Sequence, residues 1–392
     1  MGLNALRTIG QSKRRRKLGE LVAERIISEI IQQGWREGDV LGTERDFLDR
    51  YRVSRATFRE AMRQVEWHGA ACMRRGAHGG VVVQAPPREA ILFAFKTYLE
   101  LTKISRADRD EVADILRRAH RAKPLSGENE AIALFIEALD ERNLEILAEQ
   151  RRASGAAPKL SEQIAHRIVR DIEAQDAAPG TSLGNEGDLQ ARYGVSRAVL
   201  RETLRLLELH EIVRVKTGSL GGIIVHDVDP GYTIELATTY LRYARIPMSH
   251  LWEAHAALEI AATEKFTERA TPEDLARLES AFVRLNTAQA AHYLVAAGEF
   301  HQVIADGCGN RALALFVRLM LIYVPKVLPR PDPRFLPMLK AAHRDVIEAV
   351  TAHDVEEARH LMNGMFDHSR RWILRNERQS PSGDALSLGG AG

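Results

Sequence analysis

Residues 52–60 read RVSRATFRE, and residues 194–202 read GVSRAVLRE. The two stretches lie 195 − 53 = 142 residues apart, and this offset holds without a gap up to the glycine pair at 79–80. Self-similarity at one fixed spacing indicates that a structural unit occurs twice. We call residues 17–86 repeat 1 and residues 159–228 repeat 2.

The sequence of repeat 1 predicts three helices. Apolar residues recur every fourth position from Leu18 to Ile30, which predicts an amphipathic helix. A second, short helix is predicted from Thr43 to Tyr51, and Ser54 is placed to cap a third by accepting from free backbone N–H groups. The third helix carries cationic side chains on one face at every fourth position: Arg55, Arg59 and Arg63. A helix, a short turn and a helix that begins with arginines is the arrangement that enters the DNA major groove.

Two short β runs follow the third helix, near residues 70–75 and 81–83, and flank a glycine-rich tip. This pattern predicts a hairpin. Glycine at the tip lets the backbone approach a phosphate or the minor groove closely. Repeat 1 is therefore predicted to be a winged helix-turn-helix domain.

These residues resemble the DNA-binding domain of the GntR family of bacterial transcription regulators. The resemblance is carried by Thr43-Glu44-Arg45-Asp46, Val53-Ser54-Arg55, Arg59-Glu60-Ala61 and Gly79-Gly80. In that family, the positions that match six residues of repeat 1 contact operator DNA: Arg45, Ser54, Arg55, Arg59, His78 and Gly79. The same offset gives the DNA-binding candidates of repeat 2: Ser196, Arg197, Arg201 and Gly221.

Repeat 2 departs from repeat 1 in its charge. Gly187 stands where repeat 1 has Arg45, and the net charges are 11 − 10 = +1 for repeat 1 and 9 − 10 = −1 for repeat 2. Because phosphate contacts depend on cations, we expect repeat 2 to bind DNA more weakly. The alternative for either helix is that its spaced arginines form only a solvated face.

The composition favours a cytoplasmic protein of several domains. The chain has 392 residues and a net charge of +2, and its longest apolar runs are too short to span a bilayer. Its two cysteines, Cys72 and Cys308, lie far apart, which argues against a disulfide framework or a zinc site. The basic excess lies in an arm at 1–16, which either follows the DNA backbone or is a solubilising tail.

The predicted fold is mainly α, with two winged helix-turn-helix domains and a C-terminal all-α helical bundle. Between the repeats, the 142 offset holds weakly to Leu116 and then fails, so residues 87–154 are predicted to be a helical connector, a truncated effector-domain remnant. Residues 229–378 show the pattern of seven helices. The Ser/Gly-rich end at 379–392 is predicted to be disordered.

Residues 229–378 resemble the helical effector-binding domain, of the FCD type, in the FadR branch of the GntR family. The resemblance is carried by Leu251-Trp252-Glu253, Leu258-Glu259, Phe300-His301, Gly309-Asn310 and His343 with Ile347-Glu348. Many members of that branch hold a divalent metal with one Asp and three His, and the metal binds a small carboxylate. The resemblance therefore implies a domain that binds a small-molecule effector, forms dimers, or does both.

This chain keeps only part of the metal set. His301 and His343 match two of the histidines, whereas the expected Asp and third His fall on Ala297 and Met365. His368 is the nearest replacement for the third histidine. Two imidazoles without a carboxylate make a poor metal site, so we expect no metal cofactor. The predicted effector-binding residues are His255, His301, Asn310 and His343; the alternative is that they are core residues satisfied by hydrogen bonds.

The sequence thus predicts a sequence-specific transcription regulator that binds double-stranded operator DNA as a homodimer, with a small carboxylate or other metabolite as effector and no membrane partner. Repression is the usual role in the resembled family. A metal-dependent enzyme using the C-terminal histidines is the first alternative, and it is disfavoured because no Gly-rich phosphate loop, nucleophile elbow or His-Glu-x-x-His motif occurs. A protein-docking module without DNA affinity is the second, and the two retained arginine faces argue against it.

Overall fold

The computed structural model describes residues 18–74, 76, 79–122, 129–140, 160–209, 212–216, 222–226, 230–328 and 333–379. In these ranges helices dominate, and the strands form two three-stranded antiparallel sheets. The chain divides into two compact units. One contains the described parts of 1–86, 107–136 and 238–392, and the other those of 87–106 and 137–237.

Both repeats contain the same elements in the same order. Those of repeat 1 are α1 (Leu18–Gln32), β1 (Val40–Gly42), α2 (Glu44–Tyr51), α3 (Arg55–Trp67), β2 (Ala71–Arg74) and β3 (Gly80–Val83). Those of repeat 2 are α7 (Leu160–Ala174), β4 (Ser182–Gly184), α8 (Glu186–Tyr193), α9 (Arg197–Leu209), β5 (Val213–Lys216) and β6 (Gly222–Val225). The sheet orders are β1-β3-β2 and β4-β6-β5.

Polar side chains fix the start of the second and third helices in repeat 1. The Thr43 hydroxyl accepts from the Asp46 N–H at 3.4 Å, and the Asp46 carboxylate accepts from the Thr43 N–H at 2.7 Å. This capping box satisfies two N–H groups that a helix start would otherwise leave unpaired. Arg52 ends α2 in the left-handed region, and Ser54 then caps α3 by accepting from the Thr57 N–H at 3.2 Å.

Each repeat has its own hydrophobic core. In repeat 1 the fully buried rings of Phe47 and Phe58 lie with centroids 5.5 Å apart. The equivalent residues in repeat 2 are Leu189 and Leu200, which are also fully buried. Burial of each such side chain stabilises the fold by about 1.5–3 kcal/mol. Since this gain depends on apolar character, the same core position accepts an aromatic residue in one repeat and an aliphatic residue in the other.

The first strand of each sheet is absent from the sequence-based prediction. β1 pairs with β3, and Gly80 lies so close to Gly42 that a Cβ atom on Gly80 would meet the Gly42 carbonyl oxygen at 2.4 Å. Gly80 also has a φ of 151°, which other residues rarely adopt. Gly42 and Gly80 therefore allow β3 of the hairpin to pair closely with β1. The predicted hairpin itself, β2 with β3, is confirmed.

The predicted connector is not a separate unit. It forms α4 (Arg88–Leu101), α5 (Arg106–Ala122) and α6 (Glu130–Leu139). Residues 87–106 belong to the compact unit of repeat 2, whereas 107–136 belong to that of the C-terminal helices. The described helices of the predicted connector thus belong to two different compact units.

The C-terminal region is a set of helices, as the sequence predicts. They are α10 (Gly231–Tyr243), α11 (Met248–Arg269), α12 (Pro272–Thr287), α13 (Tyr293–Gly307), α14 (Arg311–Val327), α15 (Leu336–Thr351) and α16 (Val355–Gln379). A 3₁₀ turn at Pro333–Phe335 precedes α15. Within the described ranges, no helix combines the length and apolar character needed to cross a membrane.

Candidate nucleic-acid interface and buried histidine cluster

The start of α3 presents the predicted arginines to solvent. Arg55 and Arg59 are exposed, whereas Phe58 and Met62 of the same helix are buried in the core of repeat 1. Arg45, in the first turn of α2, has a side chain that is 91% exposed and lies 3.9 Å from Asp49. The capped start of α3 adds unpaired backbone N–H groups, which favour an anion.

The arginines of repeat 2 are held by a carboxylate. Arg197 and Arg201, on α9, are exposed, and their Nε atoms lie 3.3 and 3.5 Å from one oxygen of Glu186. In repeat 1 the equivalent Glu44 lies 3.8 Å from Arg55. Exposed ion pairs of this kind contribute about 1 kcal/mol or less. The arginines can therefore exchange the carboxylate for a phosphate, at a somewhat higher cost in repeat 2.

The tip of the first hairpin is partly defined. The Gly79 N–H donates to the Gly76 carbonyl oxygen at 2.9 Å, which closes a tight turn. The predicted DNA-contacting residues His78 and Gly221 lie outside the described residues. The basic arm at 1–16 and the tail from 380 also lie outside them.

Three predicted effector residues meet in the C-terminal helices, around a fourth residue that the sequence reasoning did not assign. His255 and Glu259 stand one turn apart on α11, His301 lies on α13 and His343 on α15. The four side chains form a buried row, which we call the histidine cluster. His255 Nε2 lies 3.1 Å from Glu259 Oε1, and the other Glu259 oxygen lies 3.1 Å from His301 Nδ1, in a contact that is not aligned as a hydrogen bond.

The hydrogen bonds of the cluster fix the proton on His343. Its Nδ1 lies 2.7 Å from the Leu339 carbonyl oxygen, which only accepts, so Nδ1 carries the proton and donates. Its Nε2 is then an acceptor, and it faces Nε2 of His301 at 3.2 Å. His301 is therefore protonated at Nε2. The aromatic rings of Phe300 and Tyr293 pack edge-on against His343 and exclude water.

Burial and neighbouring charge set the protonation of this row. Burial lowers the pKa of His343 to about 3, with the nearby His301 acting in the same direction, so the imidazole is neutral. Burial alone would raise the pKa of the Glu259 carboxyl, but the neighbouring His301 and His255 together outweigh it and lower that pKa to about 2. The cluster thus holds one buried carboxylate, Glu259, whose ionised form is stabilised by the neighbouring imidazoles.

Glu259 could have been found from the sequence. It stands four residues after His255 in a predicted helix, the spacing at which two side chains share a face. The family resemblance instead implies a carboxylate at position 297, which is the buried Ala297 in this chain.

The structure places two other residues considered in the sequence analysis away from this cluster. Asn310 lies outside the histidine cluster and caps α14: its side-chain oxygen accepts from the Leu313 N–H at 2.8 Å, and its amide donates to Glu111 Oε2 at 2.7 Å. Its amide is thus occupied by the protein. His368 is exposed beside Arg371, so it does not replace the histidine expected at the half-buried Met365.

The residues present do not fit the metal shell of the resembled branch. Within the described ranges, no group of three or more His, Cys, Asp or Glu side chains is arranged to hold a metal ion. Ala297 and Met365 offer no hard ligand, and Glu259 lies on the Nδ1 side of His301, away from the nitrogen that faces His343.

Comparison with known protein families gives two matches, and both lie after residue 159. Residues 160–222 match the family described as "Bacterial regulatory proteins, gntR family", and residues 250–368 match the family described as "FCD domain". The two matches place a GntR-type DNA-binding domain directly before an FCD domain in this chain. The chain is a DNA-binding regulator with a GntR helix-turn-helix domain and a C-terminal FCD domain.

Two curated relatives are HTH-type transcriptional regulators. The chain is 27% identical over 216 residues to the uncharacterized HTH-type transcriptional regulator YcbG of Bacillus subtilis, covering 55% of this chain and 91% of YcbG. It is 25% identical over 211 residues to the HTH-type transcriptional repressor NanR of Cronobacter sakazakii, covering 52% of this chain and 81% of NanR. These relatives are transcription regulators and not enzymes, and each matches only about half of the chain.

Among solved structures, the chain is similar to Streptococcus agalactiae GntR. The TM-score is 0.44 at 24% identity, and the match covers 54% of this chain and 100% of that one.

Proposed function

We propose that both repeats are winged helix-turn-helix domains and that both contact operator DNA, through α3 in repeat 1 and α9 in repeat 2. The carrying observation is that an exposed pair of arginines, one turn apart at the start of a capped helix, recurs at equivalent positions: Arg55 with Arg59, and Arg197 with Arg201. The matched GntR domain is repeat 2, and repeat 1 has the same elements in the same order. The proposed DNA-contacting set is that of the sequence prediction: Arg45, Ser54, Arg55, Arg59, His78, Gly79, Ser196, Arg197, Arg201 and Gly221.

Repeat 1 is the stronger DNA-binding domain in this proposal. It has Arg45 where repeat 2 has Gly187, and its Glu44 engages one arginine where Glu186 engages two. Each cation that pairs with phosphate releases counterions and favours binding. Repeat 2 therefore has fewer cationic side chains available to pair with DNA phosphates.

The histidine cluster is the site of the effector in this proposal, and repression is the regulatory outcome, as the name of NanR states for that relative. A ligand acts by binding one arrangement of the DNA-binding domains better than another. Since Glu259 already supplies a buried negative charge, a metabolite that donates hydrogen bonds to the cluster fits better than a free carboxylate.

The test is binding to DNA from around the protein's own gene, measured by fluorescence anisotropy across a salt series. Arg55→Ala/Arg59→Ala is expected to weaken specific binding by about 10- to 100-fold or more, and Arg197→Ala/Arg201→Ala by less. Each double variant should also make the salt dependence shallower. Arg117→Ala/Arg121→Ala, which removes two exposed arginines one turn apart on α5, is the matched control and should leave binding unchanged.

The outcomes separate the two repeats. Loss of binding in both arginine variants supports a tandem reader. If only the repeat 1 variant loses binding, repeat 2 does not contact the operator. If the α5 control weakens binding as much as either, the contacts are unspecific and the proposed faces are wrong.

A further inference from the structure

A second internal similarity lies beyond the point where the 142 offset fails. Residues 129–139 read NEAIALFIEAL and residues 310–320 read NRALALFVRLM, with five identities in eleven positions. Their offset is 310 − 129 = 181, which exceeds the first offset by 181 − 142 = 39 residues. That difference matches the length of chain occupied by α12 and α13, at 272–307, with their turns. α5 and α6 are therefore the counterparts of α11 and α14, with fewer residues between them.

The two counterpart asparagines make the same contacts in opposite directions. Asn310 caps α14, and its amide donates to the Asp108 carbonyl oxygen and to Glu111 Oε2, both near the start of α5. Asn129 caps α6, and its amide donates to the carbonyl oxygen of residue 250 and to Oε2 of Glu253, both near the start of α11. Adding 142 to 108 and 111 gives 250 and 253. The contacts are reciprocal.

The counterpart phenylalanines meet each other. Phe135 of α6 and Phe316 of α14 are fully buried, and their ring centroids lie 5.1 Å apart. A residue that touches its own counterpart lies on the axis of an isologous interface, in which two partners use the same surface. Reciprocal asparagine contacts around a self-paired residue are the signature of such an interface. Here both surfaces belong to one chain.

The winged repeats show the same reciprocity, each within its own compact unit. Repeat 1 packs on the end of α10: Trp35 stacks edge-on against Tyr243, and Arg245 donates to the Gly34 carbonyl oxygen. Repeat 2 packs on the end of α4: Leu101 contacts its core beside Ala177, and Lys103 pairs with Asp176. The residues in these two sets of contacts correspond by the offset of 142: 34 with 176, 35 with 177, 101 with 243 and 103 with 245.

Each winged repeat therefore packs on the helix that follows the other repeat. In the separate chains of a symmetric dimer, this exchange would link two subunits. In this protein it links the two halves of one chain.

We propose that residues 106–139 are a built-in partner for the FCD domain, which occupies in the same chain the surface that a second copy would otherwise use. The protein then contains, in a single chain, the contact set of a two-fold dimer. The expected homodimer with four winged units gives way to a single-chain unit with two. This inference rests on the reciprocal contacts, and only its consequence for operator reading rests on the proposed function.

The built-in partner keeps the interface and lacks the histidine cluster. The counterparts of His255 and Glu259 on α5 are Ala113 and Arg117. The sequence between α5 and α6 is shorter than α13, the helix that carries His301, and contains no histidine. One effector site therefore serves two winged domains. Effector binding is expected to follow a single-site isotherm, since cooperativity between identical sites requires two of them.

The first test is sedimentation equilibrium of the full chain without DNA, over a wide range of concentrations. The expected mass is that of one chain, 43.8 kDa. A two-chain species that persists at the lowest measurable concentration would overturn the proposal. This readout does not involve DNA, so it is independent of whether the proposed arginine faces bind an operator.

The second test is hydrogen exchange on two matched variants. Asn310→Ala is expected to raise exchange at the start of α5, and Asn129→Ala to raise it at the start of α11, because each removes the amide that holds the other half. Asn286→Ala, at an exposed position on α12, is the control. A monomer in which 130–139 exchanges without protection, or in which either variant leaves the opposite helix unchanged, contradicts the built-in partner.

Discussion

The N-terminal half of the described chain, residues 18–139, and the C-terminal half, residues 160–379, begin alike and end differently. Each starts with the same helices and the same three-stranded sheet. The C-terminal half then builds a domain with a buried histidine cluster, whereas the described residues of the N-terminal half form α4, α5 and α6 after its sheet. The two halves share the apolar core residues of their repeats and differ in whether they contain the polar residues of the histidine cluster.

This difference shows that the residues that form the core and the residues that form the polar cluster can vary independently. The core tolerates Phe47 in one half and Leu189 in the other, because both are apolar and fully buried. The cluster tolerates no such exchange: Arg117 stands at the counterpart of Glu259 and points to solvent, so a buried carboxylate row cannot form there. A shared fold therefore does not imply a shared site.

The largest effect is expected from truncating the equivalent core residues. Phe47→Ala should lower the free energy of unfolding of repeat 1 by about 3–5 kcal/mol, and Leu189→Ala that of repeat 2 by about 2–5 kcal/mol, because each leaves a cavity. Native-state hydrogen exchange resolves the two repeats. If either variant destabilises both repeats equally, they do not have independent cores and the comparison fails.

Acid should affect the halves differently. Folded His343 stays neutral down to its pKa of about 3, whereas an unfolded histidine takes up a proton below about 6.5. The unfolded state therefore binds more protons between these values, and the FCD domain loses stability as the pH falls through that range. Glu259, with its pKa lowered from 4.5 to about 2, adds a further loss below about pH 4.5.

Unfolding of the FCD domain followed by hydrogen exchange at several pH values checks this expectation. His343→Gln should flatten the dependence between about pH 6.5 and 3, and repeat 1 of the same protein is the internal control. An unchanged slope in the variant would show that another group is responsible.

A smaller, matched loss is expected from the buried tyrosine contacts of the two repeats. The Tyr51 hydroxyl donates to Glu29 at 2.6 Å, and the Tyr193 hydroxyl donates to Asp171 at 2.6 Å, at equivalent positions. Tyr51→Phe and Tyr193→Phe should each cost about 1.5–3 kcal/mol, since the acceptor is a carboxylate. Urea unfolding measures both, and a clear inequality would show that Arg50, which also contacts Glu29, compensates in repeat 1.

The smallest effect concerns the carboxylates beside the arginines that we propose bind DNA. Glu186→Gln frees Arg197 and Arg201 and should tighten DNA binding by up to about fivefold, the equivalent of about 1 kcal/mol. Glu44→Gln, which frees one arginine at a longer distance, should change binding less. Anisotropy at low salt compares them, and the reverse order would contradict the reading of repeat 2 as the more neutralised domain.

The sequence alone determined the repeated elements, because their signals are local. Caps such as Thr43 and Ser54, the helical spacing of apolar residues and the glycine tip of the hairpin act over a few residues. The arginine faces follow from the same periodicity, and the resemblance to the GntR family follows from the residues that create it.

Only the tertiary structure decided which distant side chains meet. It brought Glu259 to His301, the Asn310 amide to the Asp108 carbonyl oxygen, and Phe135 to Phe316. It also divided the predicted connector between two units. These contacts join residues 42 to 202 positions apart, and their choice depends on how whole helices pack, which no local pattern specifies.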